Sequence, residues 1–209
     1  FSAVFMLTGA RPALAAWPDD KPINFTVAYS PGGTTDVMAR IIANTMERKL
    51  GQKIIVINKP GAGGEIGFSQ LSAAAPDGYT IGMLNVITLL TIPIERNAKY
   101  SLDTLVPVAD IQTDPVVLCV KADDPAQNLG DIIAEAKGGK KITFGSGAIG
   151  SDKHIGTEQF ARLAGIELKH VPFNGSGPIR TALIGGPVRM FALSISEAKE
   201  FVVTTQIPC

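Results

Sequence analysis

Ala28 to Arg40 reads AYSPGGTTDVMAR, and this stretch decides the fold. A short apolar run, INFTVAY, precedes it, and a long amphipathic run, TDVMARIIANTMERKL, follows. The apolar period changes from that of a strand to that of a helix across Pro31, Gly32, Gly33 and Thr34. A strand that turns on glycines into a helix leaves the first helical N–H groups without partners. Those donors and the helix dipole suit a small anion, and glycine lets a ligand come close to the backbone. The arrangement recurs at NKPGAGGEIG (Asn58 to Gly67), FGSGAIGSDKH (Phe144 to His154) and PFNGSGP (Pro172 to Pro178). Four such loops facing one another would enclose a cleft.

Outward from the first loop, the chain alternates strand and helix patterns. Met38, Ile41, Ile42, Thr45 and Met46 share a helical face, and Gly51 is placed to end that helix. KIIVIN (Lys53 to Asn58) reads as a buried strand, Ile66 to Ala75 as a helix, and Tyr79 to Leu84 as a third strand after the Pro76-Asp77-Gly78 turn. Ile92 to Thr113 is irregular and reads as a crossover. A second series then begins. Its strands are expected at Pro115 to Lys121, Ile142 to Phe144, Ile166 to Val171 and Val188 to Leu193. Its helices are expected at Leu129 to Lys137, Ser151 to Ala164 and Pro178 to Ile184. Strands alternating with helices give an α/β fold of parallel sheets with crossover helices, here in two lobes with a ligand site between them.

Composition narrows the function. Lys and Arg number 19, as do Asp and Glu, so no excess of positive charge points to nucleic acid. The 209 residues are 45% hydrophobic, ordinary for a globular chain, and this length buries roughly 70% of the unfolded surface. Residues 1–16, ahead of Trp17, hold an apolar stretch followed by Ala13-Leu14-Ala15, which reads as the remnant of an export signal. Beyond it no run is long enough to span a membrane. Cys119, within PVVLCVK, reads as a buried free thiol. Two cysteines and two distant histidines make no metal site.

The loops carry the candidate chemistry. Gly145 to Gly150 fits G-x-G-x-x-G between a strand and a helix, the context of a dinucleotide fingerprint. The acid that would hold a ribose is missing, and Asp152 in the helix's first turn would repel a pyrophosphate. Other readings of this loop are a tight turn capped by Ser151 or Asp152, and a small carboxylate held by Ser146, Ser151 and backbone N–H groups. Ser151 and His154 stand three apart on one helix, as a nucleophile and base would, but no G-x-S-x-G elbow exists. His154 also reads as a locally bonded helix side chain and His170 as structural. Asp36 and Arg40 are spaced to pair, and Asp36 is placed to orient the Pro-Gly-Gly loop.

Taken in order, SPGGTTDVMAR, NKPGAGGEIG, PDGYT, FGSGAIGSDKH, VPFNGSGP and ALIGGPV resemble the Bug family of periplasmic solute-binding proteins, the receptors of tripartite tricarboxylate transporters. The resemblance runs from about Trp17 to about Ala198. It implies a type II-like Venus flytrap of two α/β lobes. The first lobe would span residues 17–108 without its return segment, and the second would span 109–209 with the start of the crossover. It implies a periplasmic monomer that holds a small organic carboxylate, hands it to membrane transporter subunits, and has no catalytic residue, cofactor or metal. By resemblance the ligand meets Tyr29, Ser30, Gly33 and Thr34, then Ala62, Gly63 and Asn85, from the first lobe. From the second, the loop with Ser146 and Ser151, with His154 behind it, grips the ligand, and Asn174 sits where the family often carries an acidic or polar selector. The chain departs from the family at Ala28-Tyr29, where Pro-Phe is usual, and at Arg189, where an acid is usual. It also ends early relative to the family, which implies a first lobe short of its last elements. Two rival readings stand: an enzyme, nucleotide-dependent or hydrolytic, built on the Gly145–Gly150 loop, and a truncated remnant without function.

Overall fold

The computed structural model describes residues 17–121, 123–186 and 188–199. The expected signal remnant at 1–16 and the end of the expected crossover at 201–209 lie outside them. Two separate sheets form. In the first, β1 (Ile23–Val27) lies between β2 (Ile54–Asn58) and β3 (Thr80–Met83), all parallel. In the second, β4 (Val116–Val120), β7 (Met190–Ser194), β5 (Ile142–Ser146) and β6 (Leu168–Pro172) lie side by side in that order. The stretch 105–115 between the lobes carries no regular element.

The first lobe follows from alternation in β1. Ile23, Phe25 and Val27 are buried together with Ile54, Tyr79 and the inner face of α1 (Thr34–Leu50). That inner face is Ala39, Ile42, Ala43, Met46 and Leu50, rotated from the expected one. Ile41 is 55% exposed, because the small Ala39 and Ala43 let the helix settle closer to the sheet than a larger side chain would allow. Gly51 ends α1 in the left-handed region, as its position predicts. β2 is an edge strand rather than a buried one, with Ile55 exposed. On the other face, Ala28, Tyr29 and Phe68 of α2 (Glu65–Ser72) pack with Ile92 and Tyr100.

Ile92 belongs to α3 (Val86–Glu95), so the expected irregular crossover begins with a helix. Its sequence, VITLLTIPIE, has almost no polar face to set a helical period, and Pro93 argued against it. The Asn85 side chain caps it by accepting from Thr88 N–H.

In the second lobe, β7 is buried at all five residues because both faces of the sheet are covered. Phe144, Ile142 and Met190 pack with Ile132 of α4 (Leu129–Lys137) on one side. Phe191 and Leu193 pack with Ile179 of α6 (Ser176–Gly185) on the other. β4 runs antiparallel to β7, where the strand–helix alternation predicts a parallel partner. Cys119, in β4, is disulfide-bonded and not the expected free thiol. A capping box opens α4: Asn128 accepts from Asp131 N–H, and the Asp131 side chain accepts from Asn128 N–H. Asn128→Ala is expected to lower stability by about 1 kcal/mol, read as a shift of the urea midpoint at constant slope.

Candidate functional site

Four helices begin around one cavity between the lobes. Gly33, Thr34 and Thr35 open α1, and Asn85 and Thr88 open α3. Gly147, Ala148, Ser151, Asp152 and Lys153 come from the turn into α5 (Asp152–Ala164), and Gly175 and Ser176 from the turn into α6. Tyr29 closes one wall. The caps of α1 and α6, Gly33 and Gly175, make no side-chain hydrogen bond, so their first-turn N–H groups carry no side-chain cap. Four positive helix ends directed at one small space favour an anion there.

The α1 loop is held by Asp36, whose side chain is 4% exposed. It accepts from Gly32 N–H at 2.9 Å, from Asn58 Nδ2 at 2.9 Å, and from Arg40 Nε and Nη2 at 2.9–3.1 Å. Burial pushes the Asp36 carboxyl up, but Arg40, Gly32 N–H and Asn58 outweigh it and hold it below the usual range. Asp36 therefore does both things its spacing suggested: it pairs with Arg40 and orients the glycine turn.

The lobes touch through these same loops. Ser30 N–H donates to Asn174 O at 3.3 Å. Thr91 Oγ1 donates to Gly150 O at 2.8 Å, and Asn85 Nδ2 to Asp152 Oδ1 at 3.4 Å. A Cβ on Gly175 would lie 2.9 Å from Tyr29 Cβ, and one on Gly177 would run into the Pro31 carbonyl oxygen. With the lobes so placed, the cavity is about 40 Å³, room for roughly three waters.

Of the expected ligand residues, Tyr29, Gly33, Thr34, Asn85 and Ser151 line the cavity. Ser30 and Asn174 form the backbone contact between lobes instead. Ala62 gives its carbonyl to Arg96, and Gly63 sits against Ala148 with φ +70°, beside the cavity but not lining it. Ser146 is fully buried and bonds His170 Nε2 at 2.7 Å. His154 is behind the loop: its Nδ1 accepts from Gly150 N–H, and its ring stacks on His170 at 4.0 Å.

These placements bear on the rival chemistry. Ser151 Oγ donates to Ala148 O and caps α5 by accepting from His154 N–H, so it is not bonded to the imidazole. The Ser146–His170 pair does not line the cavity. The Gly145–Gly150 glycines serve close packing: Gly145 against Phe173 and Phe191, Gly147 against Gly175, and Gly150 against Thr91.

Sequence reading missed Lys153. It is 9% exposed, lines the cavity, and has its nearest carboxylate, Glu197, at 3.9 Å. The signal was available, because a lysine in a helix's first turn opposes the dipole. Burial pushes the Glu197 carboxyl up, but Lys153, the neighbouring Ser176 and Thr34 hydroxyls and Ser194 N–H together hold it below the usual range. Glu197 Oε1 and Thr34 Oγ1 are nonetheless buried without hydrogen-bond geometry. The Tyr29 hydroxyl is also buried and unpaired. Burial raises its pKa, so it remains a donor, and the adjacent Thr88 hydroxyl donates to Asn85 instead.

The stacked histidines predict acid sensitivity. Burial, and then the His154 charge, push His170 from its ordinary value near 6.5 down to about 4, and burial lowers His154 as well. The unfolded chain then binds more protons, so stability is complete above about pH 6.5 and declines as the pH falls towards 4. The expected loss is on the order of 1–2 kcal/mol after solvent screening of a half-buried ring. His170→Gln should flatten that decline in urea midpoints measured between pH 7 and pH 4.5.

Two α/β lobes with helix N-termini meeting at an interlobe cavity define a binding-protein architecture. The chain belongs to the family of tripartite tricarboxylate transporter receptors, whose profile matches residues 38–207. Curated relatives from Bordetella pertussis, BugT among them, are 35% identical, and the chain spans 62% of one and 59% of BugT. Among solved structures, an R. palustris protein with adipate is 28% identical with a TM-score of 0.83, covering 92% of this chain and 65% of that one. MatC from Rhodopseudomonas palustris with bound malate is 26% identical with a TM-score of 0.82, covering 90% and 65%. A TctC solute-binding protein from Polaromonas, solved with no ligand, is 30% identical with a TM-score of 0.56, also covering 90% and 65%.

Proposed function

We propose that this chain is the ligand-binding part of a periplasmic receptor that closes around a small organic carboxylate and presents it to a membrane transporter. It acts by binding and carries no reaction of its own. The observation that carries this reading is the interlobe cavity at which four helices begin, in a fold shared with proteins that hold adipate and malate. The contacts between the lobes around this small cavity support the same view, since they hold the two walls of the site together. The convergent helix ends, Lys153 and Tyr29 supply donors for a carboxylate.

The test is a thermal melt of the purified chain against mono-, di- and tricarboxylates. An acid at 100 times its Kd should stabilise the chain by about 2.7 kcal/mol. A cooperative melt that no carboxylate raises would contradict the reading.

A further inference from the structure

The cavity holds two opposite charges on adjacent residues, and this pairing says more about the ligand than its helix ends do. We propose that Lys153 and Asp152 form a two-pronged clamp. Lys153 takes a ligand carboxylate, and Asp152 takes a hydrogen-bond donor elsewhere on the same ligand, so the preferred class is a carboxylic acid bearing a hydroxyl or ammonium group. This rests on the carboxylate-receptor reading and sharpens it.

Lys153 is nine-tenths buried and lines the cavity, yet among the described residues no acceptor stands within hydrogen-bond distance of Nζ. Glu197 at 3.9 Å supplies a counter-charge from below but leaves the three donors unfilled. A buried cation with empty donors, beside the unpaired Tyr29 hydroxyl and the first N–H groups of α1 and α6, is complementary to a carboxylate.

Asp152 is a separate observation. A carboxylate in the wall of an anion site repels a ligand that is acidic throughout. Among the described residues its side-chain partner is Asn85 Nδ2 across the cleft, at a long 3.4 Å. Asp152 lines the same cavity as Lys153. A plain alkyl diacid offers Asp152 no donor and brings a like charge beside it. A hydroxyl would supply that donor, and an ammonium would supply it and balance the charge.

The experiment is calorimetric titration of the chain with L-malate, L-aspartate and succinate, which share a four-carbon diacid frame and differ only in the donor. The clamp predicts that malate or aspartate binds about 10- to 100-fold more tightly than succinate, and whichever of the two is tighter identifies the donor. Lys153→Met should weaken all three acids by a similar factor. Asp152→Asn should reduce the advantage over succinate while leaving succinate itself unweakened. Because Lys153→Met also removes the counter-charge of buried Glu197, its melt without ligand is recorded first. If that variant does not fold, the wild-type ranking and Asp152→Asn still decide. Succinate bound as tightly as the other two, or wild-type affinity in a folded Lys153→Met, overturns the clamp while the receptor reading stands. If wild type binds none of the three and no acid raises its melt, both fall together.

Discussion

Gly177→Val is expected to leave both lobes folded and to weaken carboxylate binding by about 100-fold. Gly177 lies in the first turn of α6, and with the lobes together a Cβ there would meet the Pro31 carbonyl oxygen of the opposite lobe. That neighbour is backbone, held by the same turn that Asp36 fixes through Gly32 N–H. It cannot give way as the end of a flexible side chain would. Parting the lobes removes the clash, so the variant favours the open form at no cost to either core. Its melt without ligand should match wild type within about 0.5 kcal/mol, while titration with an acid that wild type binds shows the loss. Wild-type affinity in Gly177→Val would mean that the lobes do not meet at this contact when ligand is bound.

Asp36→Ala is expected to lower stability by about 3 kcal/mol and to weaken binding as well. The substitution leaves Gly32 N–H and one Asn58 amide hydrogen without an acceptor and removes the carboxylate from Arg40, while Asn58 keeps Tyr29 O and Arg40 keeps Asn58 Oδ1. These groups tie the end of β1, the start of α1 and the end of β2 into one unit, so their loss loosens the turn that carries Gly33 and Thr34. The pH dependence follows from the sign of the shift. Asp36 is held below its usual range, so its contribution is present at neutral pH and lost as the pH falls through its folded value. Urea midpoints of Asp36→Ala and wild type should therefore converge in acid. A constant gap across pH would assign the effect to packing instead.

The strand–helix alternation was legible because each glycine loop marks a switch of period. The signals at Gly32-Gly33, Gly61 to Gly64, Gly145 to Gly150 and Gly175 to Gly177 are local and strong. What was hidden depends on partners distant in sequence. Nothing within PVVLCVK says that β4 will run antiparallel to β7. The α3 segment is apolar on every side, and only the Asn85–Thr88 cap betrays it. At the site, Gly33, Thr34 and Asn85 could be placed because they begin helices. Ser146 read as a cleft residue from its loop, yet its side chain turns behind it to His170, while His154 stands behind the loop, accepting from Gly150 N–H. Lys153 carried no mark in the sequence beyond its place in the first turn of α5, and its burial beside Glu197 depends on a partner distant in sequence.

The proposed closure of the two lobes on a carboxylate would make the chain more compact. Small-angle X-ray scattering of the chain, titrated with the acid that most raises its melting temperature, tests it most directly. The radius of gyration is expected to fall saturably, at the concentrations where binding is seen, and Gly177→Val to show no such fall. A radius unchanged at saturation, with binding confirmed in the same sample, would contradict closure.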